Sequence, residues 1–462
     1  MEFDQTKQEQ EMSRASRLRV QEDGYLKKRR WRLAGIALLL SVLIIWVVII
    51  FIRQNGHQKT APTQVVKPVK LSVKAKHAIV IDAQTGQILG QKDSHSQVGI
   101  ASQSKMLTSY AVLKAIKAGK LHWDDKIEIN KKSDWSNKDN DRYAHLDIHS
   151  GQKIRVSELF GAMYTSSAND AALALADYVK PKGMTEQEAL NFWAHELHLN
   201  GSKWYNATGQ VNEDMGPYRV KSASDKAENT ASVEQLAILA RKNLELDPNL
   251  RDYYEKLGLV YHPVDGVNKI KRTEYAKFKQ EVVPKLKNKE KLRFEGLKTG
   301  STPESGGAFT GLLKDRDGHE FITVVSGAGR YTDQIERYQD TIDAVEEVLQ
   351  QRKPVTFNSG EKLKKAEKIR APKTQAGHLE LTVADKRTYW LKKSAKGQLG
   401  FDRPNQIKVD SVRAGERVLS LRPALKTDFL SGSKIDDYGL PLASQKSAKK
   451  ASDWQIFWRG IF

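Results

Sequence analysis

Twenty consecutive residues without a charge, Leu33 to Ile52, lie between Arg32 and Arg53 and constrain the layout of everything around them. At about 1.5 Å per helical residue the run is roughly 30 Å long, the thickness of a bilayer's hydrocarbon core. The apolar part of a cleaved secretion signal is shorter, about 7–15 residues, and ends at small residues. Here the run ends in Ile-Ile-Phe-Ile-Arg-Gln, so a retained transmembrane helix over 33–52 is expected. Arg14, Arg17, Arg19, Lys27, Lys28, Arg29, Arg30 and Arg32 precede it, against Arg53, Lys59, Lys67 and Lys70 in the stretch that follows. Positive charge stays on the cytoplasmic side. Residues 1–32 are therefore expected as a cytoplasmic tail, with the rest outside a cell membrane crossed once.

Beyond the span, 53–74 is polar with two prolines and reads as an extended tether. Residues 75–352 mix both periodicities. Runs rich in β-formers flank Gln84-Thr85-Gly86 as a hairpin, and Arg293–Thr299, Ala308–Leu313 and Phe321–Gly327 read as strands. Helical spacing marks Ala101–Gly119, Val156–Val179, Val233–Asn243 and Thr332–Gln351, the last with a stripe of Ile335, Tyr338, Ile342, Val345 and Val348. Residues 244–291 are charged without regular pattern and read as a surface lobe. The expectation is one mixed α/β domain. From 353 to 445 the alternation in HLELTV and ERVLSLRP indicates a small all-β domain, followed by a tail, 446–462.

Three short motifs carry chemistry. Ser102-Gln103-Ser104-Lys105 opens a helix, and a spacing of three puts hydroxyl and amine on one face. A serine becomes a nucleophile when a neighbouring base takes its proton, and a lysine serves if burial or a second cation keeps it neutral. Ser167-Ala168-Asn169 places a hydroxyl and a carboxamide at the opening of another helical run. Lys298-Thr299-Gly300 closes a strand-like run with a cation, a hydroxyl and a residue without a side chain, suited to pairing with an extended peptide. Alone, each has an ordinary explanation: a surface Ser and Lys, a helix cap, a hairpin exit. In this order they resemble the signature of penicillin-binding proteins and class A β-lactamases, with Ala168 in the middle of the second motif.

The surrounding segments IDAQTGQIL, IASQSKMLT, SSANDAALALAD, ELHLNGSKWYNATG and FEGLKTGST resemble the low-molecular-mass D-alanyl-D-alanine carboxypeptidases over roughly 76–350. The resemblance implies a β-lactamase/transpeptidase-like catalytic domain that trims the terminal D-alanine from peptidoglycan stem pentapeptides. Ser102 would attack, Lys105 would be its base, and Ser167 and Asn169 would assist proton transfer and orient the acyl group. Lys298 and Thr299 would bind the terminal carboxylate, Gly300 would let the substrate backbone approach, and the backbone N–H groups of Ser102 and Ser301 would form the oxyanion hole. β-Lactams would mimic the dipeptide and stay attached. Ala168 departs from the family's usual glycine, and the stretch before Lys298 is more charged than usual.

Rival readings are few. A β-lactamase would need a deacylating glutamate, and Glu196-Leu197-His198-Leu199-Asn200 matches that string; its register fits a solvated helix end instead. A silent wall-binding scaffold would not need all these side chains. The chain has no cysteine and its His pairs, His145/His149 and His195/His198, lack a carboxylate ligand context, so no metal and no cofactor are expected. The net charge of +20 invites a nucleic-acid reading, which the outward topology and the lack of an aromatic-basic motif oppose. Residues 353–462 hold 23 basic and 11 acidic side chains, an excess that suits either anionic lipid or wall polymer as partner, or a solvated basic face with none. Trp454, Phe457, Trp458 and Ile461 fall on one helical stripe, and Ser452 is a candidate cap. The stripe suits either an interfacial helix lying on the membrane or one docked on the β domain, and the family resemblance implies the first.

Overall fold

The computed structural model describes residues 34–49, 57–59 and 61–461, apart from 141, 265, 304 and 365. The expected cytoplasmic tail, and the two ends of the expected span, lie outside the described residues. Residues 34–49 are helical and exposed throughout. Among the described residues no helix is long and apolar enough to cross a membrane.

Six strands make the central sheet, in the spatial order Arg293–Thr302, Gly306–Lys314, Glu320–Ser326, His77–Asp82, Ile88–Lys92, Val69–Lys70. All neighbours run antiparallel except the last pair, which is parallel. The sheet is covered on both faces, which explains why its central strands are apolar at consecutive positions. Side chains alternate across a strand: Ile79, Ile81, Ile322 and Val324 join the core under one set of helices, while Ala78, Val80, Phe321 and Val325 join the core on the opposite face. The first set includes Lys105–Lys117, Asn169–Val179 and Val233–Leu246. On the other face lies Glu336–Gln351, four residues shorter at its start than its periodicity suggested, with Tyr338, Ile342, Val345 and Val348 buried.

Three expectations change. The apolar run 156–179 is two helices, Val156–Thr165 and Asn169–Val179, parted where Ser167 adopts φ +58. A left-handed residue cannot continue a right-handed helix, and the apolar pattern ran on because both helices are buried almost all round. The lobe 244–291 is ordered: a short helix, Leu250–Tyr254, leads into a hairpin, Gly258–Val264 with Val267–Arg272, and a helical turn, Glu274–Lys277. Its alternation was masked because Val260 and Ile270, on the outward face, are apolar although exposed. The stretch 53–74 is no free tether in its second half. Gln64–Val65 pairs with Leu425–Lys426, Val66 is buried in the C-terminal core, and Val69, Leu71 and Val73 are buried in the catalytic core.

The C-terminal part is a second six-stranded sheet, ordered His57–Lys59, Phe401–Pro404, Arg417–Pro423, Leu440–Ser444, His378–Val383, Lys368–Arg370. Its alternating strands bury Leu379, Leu381, Val383, Leu421, Leu440 and Leu442 on one side. Trp390 locks the two parts together. Its ring packs on Phe321 at 5.2 Å and its Nε1–H donates to Asp82 Oδ2 at 3.0 Å. Its backbone exchanges hydrogen bonds with the amide of Gln87, both 2.9 Å.

The helix Asp453–Ile461 begins with a reciprocal cap between Ser452 and Gln455. Arg459 ties it to the β domain through the carbonyls of Pro372, Thr374 and Gln375. Trp454, Phe457 and Trp458 nevertheless remain exposed.

Candidate active site

Ser102 lies in a 3-10 turn, Ala101–Ser104, that runs directly into the helix Lys105–Lys117. The turn, more tightly wound than an α-helix, still sets Lys105 beneath the hydroxyl: Nζ lies 2.9 Å from Ser102 Oγ. Two further acceptors surround the same nitrogen, Asn169 Oδ1 at 2.8 Å and the Thr208 carbonyl at 2.9 Å. A neutral amine has two N–H donors and one lone pair. With both donors taken by Asn169 and Thr208, the lone pair is left for the Ser102 hydroxyl, the orientation a general base needs. Burial first, and the charge of Lys298 second, hold this amine well below the ordinary lysine range, while Glu274 and Asp170 act the other way. Lys105 is 1% exposed, which shields its amine from bulk solvent.

The break between the two helices presents the second motif. Asn169 starts its helix, and its backbone N–H donates to the Ala144 carbonyl at 2.8 Å. Asp170 fixes the facing loop by accepting the Leu146 N–H at 2.8 Å, and its burial pushes its carboxyl up to about 7. Ser167 is buried in the break, and its hydroxyl has no hydrogen-bond partner among the described residues. Ala168 has φ −59, a conformation any residue adopts, so the methyl that replaces the family's glycine adds no backbone strain.

Lys298 and Thr299 lie on the edge strand Arg293–Thr302. Burial lowers the Lys298 amine from its usual range, Glu274 pulls it back up, and Arg337 lowers it. Gly300 also has a packing role within the fold. A Cβ there would lie 2.7 Å from the Ile100 carbonyl and 3.0 Å from Gln103 Cγ, so the missing side chain admits the turn that carries Ser102. Ser301 accepts the Arg337 guanidinium on its Oγ at 2.6 Å.

Four contributors escaped the sequence reading. Glu274, from the lobe thought patternless, accepts the Thr299 hydroxyl at 2.7 Å and lies 3.7 Å from Lys298 Nζ. Arg337 adds a second cation beside the strand. The Thr208 carbonyl and Gly209 belong to a turn organised by Asn206, whose Oδ1 accepts from Thr208 N, Thr208 Oγ1 and Gly209 N. An asparagine two and three residues before Thr-Gly is the signal that could have revealed this turn.

Gly209 has φ +81, and a Cβ on it would lie 1.8 Å from the Ala101 carbonyl. Gly209→Ala is therefore expected to displace the nucleophile turn, costing about 2–6 kcal/mol as backbone strain and overpacking add. Catalytic turnover should fall roughly a hundredfold, since small displacements of reacting groups are that costly. Thermal melting and turnover measured on the same sample check both.

Glu196 is not part of this constellation. It ends the helix Glu186–Glu196 and pairs with Lys114 at 2.5 Å. Lys114 lies nine residues along the helix from Lys105, about 13 Å at helical rise. His145 points both ring nitrogens at backbone carbonyls, those of Leu146 and Lys138.

The chain is similar to several known proteins. A family model described as D-alanyl-D-alanine carboxypeptidase matches residues 61–329. The chain is 27% identical over 254 residues to the D-alanyl-D-alanine carboxypeptidase DacD of Escherichia coli (strain K12), covering 54% of this chain and 57% of that one. It is 25% identical over 181 residues to DacF, of the same description, from Bacillus subtilis (strain 168), covering 38% and 43%. The chain thus spans about half the length of the curated relatives it matches. Among solved structures, a peptidoglycan synthesis regulatory factor (PBP3) from Streptococcus pneumoniae shares the fold. Its TM-score is 0.68 at 18% identity, over 82% of this chain and 100% of that one.

Proposed function

The chain belongs to the D-alanyl-D-alanine carboxypeptidase family, and on that premise we propose that it is a serine peptidase removing the terminal D-alanine from peptidoglycan stem pentapeptides. The observation that carries the reading is the buried Lys105 amine 2.9 Å from Ser102 Oγ, held below its ordinary range by burial and by the charge of Lys298. Lys105 takes the Ser102 proton as Oγ bonds to the carbonyl carbon between the two D-alanines. The oxyanion forms against the backbone N–H groups of Ser102 and Ser301. The C–N bond then breaks and the departing amine takes the proton that Lys105 held, passed by way of the Ser167 hydroxyl, which leaves Lys105 neutral, while Asn169 keeps Lys105 and the acyl group oriented. Water attacks the ester with the same base, releasing the shortened peptide and restoring Ser102. Lys298, Thr299 and Arg337 provide the cationic subsite for the terminal carboxylate.

The setting follows from the ends of the chain. The uncharged run 33–52 and its flanking arginines support a single span with the catalytic domain outside the cytoplasmic membrane. The outward Trp454, Phe457 and Trp458 support a C-terminal helix resting on the membrane surface. The basic excess of 353–462 supports contact with anionic lipid or wall polymer there.

Incubation of the full chain with penicillin, followed by proteolysis and mass spectrometry, is expected to place one adduct on the peptide containing Ser102. A pentapeptide ending in D-Ala-D-Ala should release one D-alanine per molecule. Absence of both products would return the chain to the silent-scaffold reading, and fast hydrolysis of penicillin would favour the β-lactamase.

A further inference from the structure

The subsite assigned above to a substrate's carboxylate already holds a carboxylate. Glu274 Oε2 receives the Thr299 hydroxyl and stands at 3.7 Å from the buried Lys298 amine. Its backbone is firmly anchored. Thr273 Oγ1 caps the turn Glu274–Lys277 by accepting from Ala276 N and donates to the Lys256 carbonyl. Tyr275 packs on Tyr254 and Phe278, with ring centroids 5.2 and 6.0 Å apart. The Glu274 side chain, by contrast, is 36% exposed and keeps its rotamer freedom toward solvent.

Two carboxylates cannot share this place. The Thr299 hydroxyl has a single proton to donate, and a second negative group within a few ångströms of the first is disfavoured where water is largely excluded. We infer that Glu274 is an internal competitor for the carboxylate subsite: it holds Thr299 and Lys298 in the empty enzyme and swings out before an anionic peptide end docks. The inference rests on the carboxypeptidase reading, which supplies the anionic end. Apparent affinity is then the intrinsic affinity reduced by the fraction of molecules whose Glu274 has turned away. A fraction of about one in ten weakens binding about tenfold. Glu274 thereby sets which peptide ends compete well for the site.

The test measures binding in the full chain carrying Ser102→Ala, so that no reaction interferes. The probes are a peptide ending in D-Ala-D-Ala and the same peptide as its C-terminal amide. Glu274→Gln is expected to tighten the free-acid peptide about tenfold and to leave the amide within twofold. Glu274→Ala, which removes the plug altogether, should do the same, and melting curves report whether either variant is folded. Equal gains for both peptides, or no gain for the free acid in either variant, would overturn the inference. Penicillin labelling of the unaltered chain separates the two readings. Labelling without a Glu274 effect sinks only the competitor; a carboxylate-selective effect without labelling sinks only the carboxypeptidase.

Discussion

Ser102→Ala abolishes both the covalent capture of penicillin and the release of D-alanine, with an expected loss of roughly 10⁴-fold or more in turnover. The size follows from the base having one hydroxyl in reach: among the described residues, Ser102 Oγ is the one hydroxyl hydrogen-bonded to Lys105 Nζ. The fold should survive. Among the described residues the Ser102 hydroxyl hydrogen-bonds Lys105 alone, and removing one oxygen from this half-buried side chain leaves stability within about 1 kcal/mol. Fluorescent penicillin on a gel, a D-alanine assay and a melting curve, run on one preparation, give the three readings. Surviving capture with an unchanged melt would place the nucleophile elsewhere and remove the basis of the proposed chemistry.

Lys105→Met is expected to lower the acylation rate about a thousandfold, within the range that general-base catalysis contributes. Methionine fills most of the buried volume but takes no proton, and it leaves Asn169 Oδ1 and the Thr208 carbonyl without their shared donor. Binding of penicillin before reaction should change far less than the rate. The pH profile gives a second, independent reading. Because the folded amine is held below the ordinary lysine range, its neutral form accumulates at a pH well below that range. Acylation of the unaltered chain by penicillin should therefore rise with pH through that point and then level. The rise disappears in Lys105→Met. A profile that rises only in the ordinary lysine range, measured as second-order rate constants from stopped-flow fluorescence, would show that Lys105 carries its proton at neutral pH.

Much of this site could be read from residue types alone, because its chemistry is concentrated in three local strings. Ser102 and Lys105 are joined by helical spacing, and Lys298 with Thr299 by a strand's end. What escaped was held by long-range or backbone contacts. Glu274 reaches Thr299 across 25 positions, with nothing local to announce it. The Thr208 carbonyl is a main-chain group, and carbonyls have no residue signature. The helix break at Ser167 was hidden by a continuous apolar pattern, since both flanking helices are buried. Gly300 was recognised as a position needing close approach, but the approaching partner, the Ile100 carbonyl, was visible only once the chain was folded. The central strands read well as continuous apolar runs and the C-terminal ones by alternation, while the stretch around Val66 was taken for a tether although Val69, Leu71 and Val73 alternate inward as a strand does.

The pairing of His57–Lys59 with Phe401–Pro404 sets a timetable for biogenesis. The segment that leaves the ribosome first among the β-domain strands waits for a partner about 340 residues behind it. At 5–20 residues per second that delay is roughly 20–70 s. Through that interval the early strand has an unsatisfied edge, a place where another chain can add on. The C-terminal sheet can close only after the catalytic domain has emerged. Removal of either segment therefore takes a strand from the same sheet, which cannot be complete until residues 401–404 have been made.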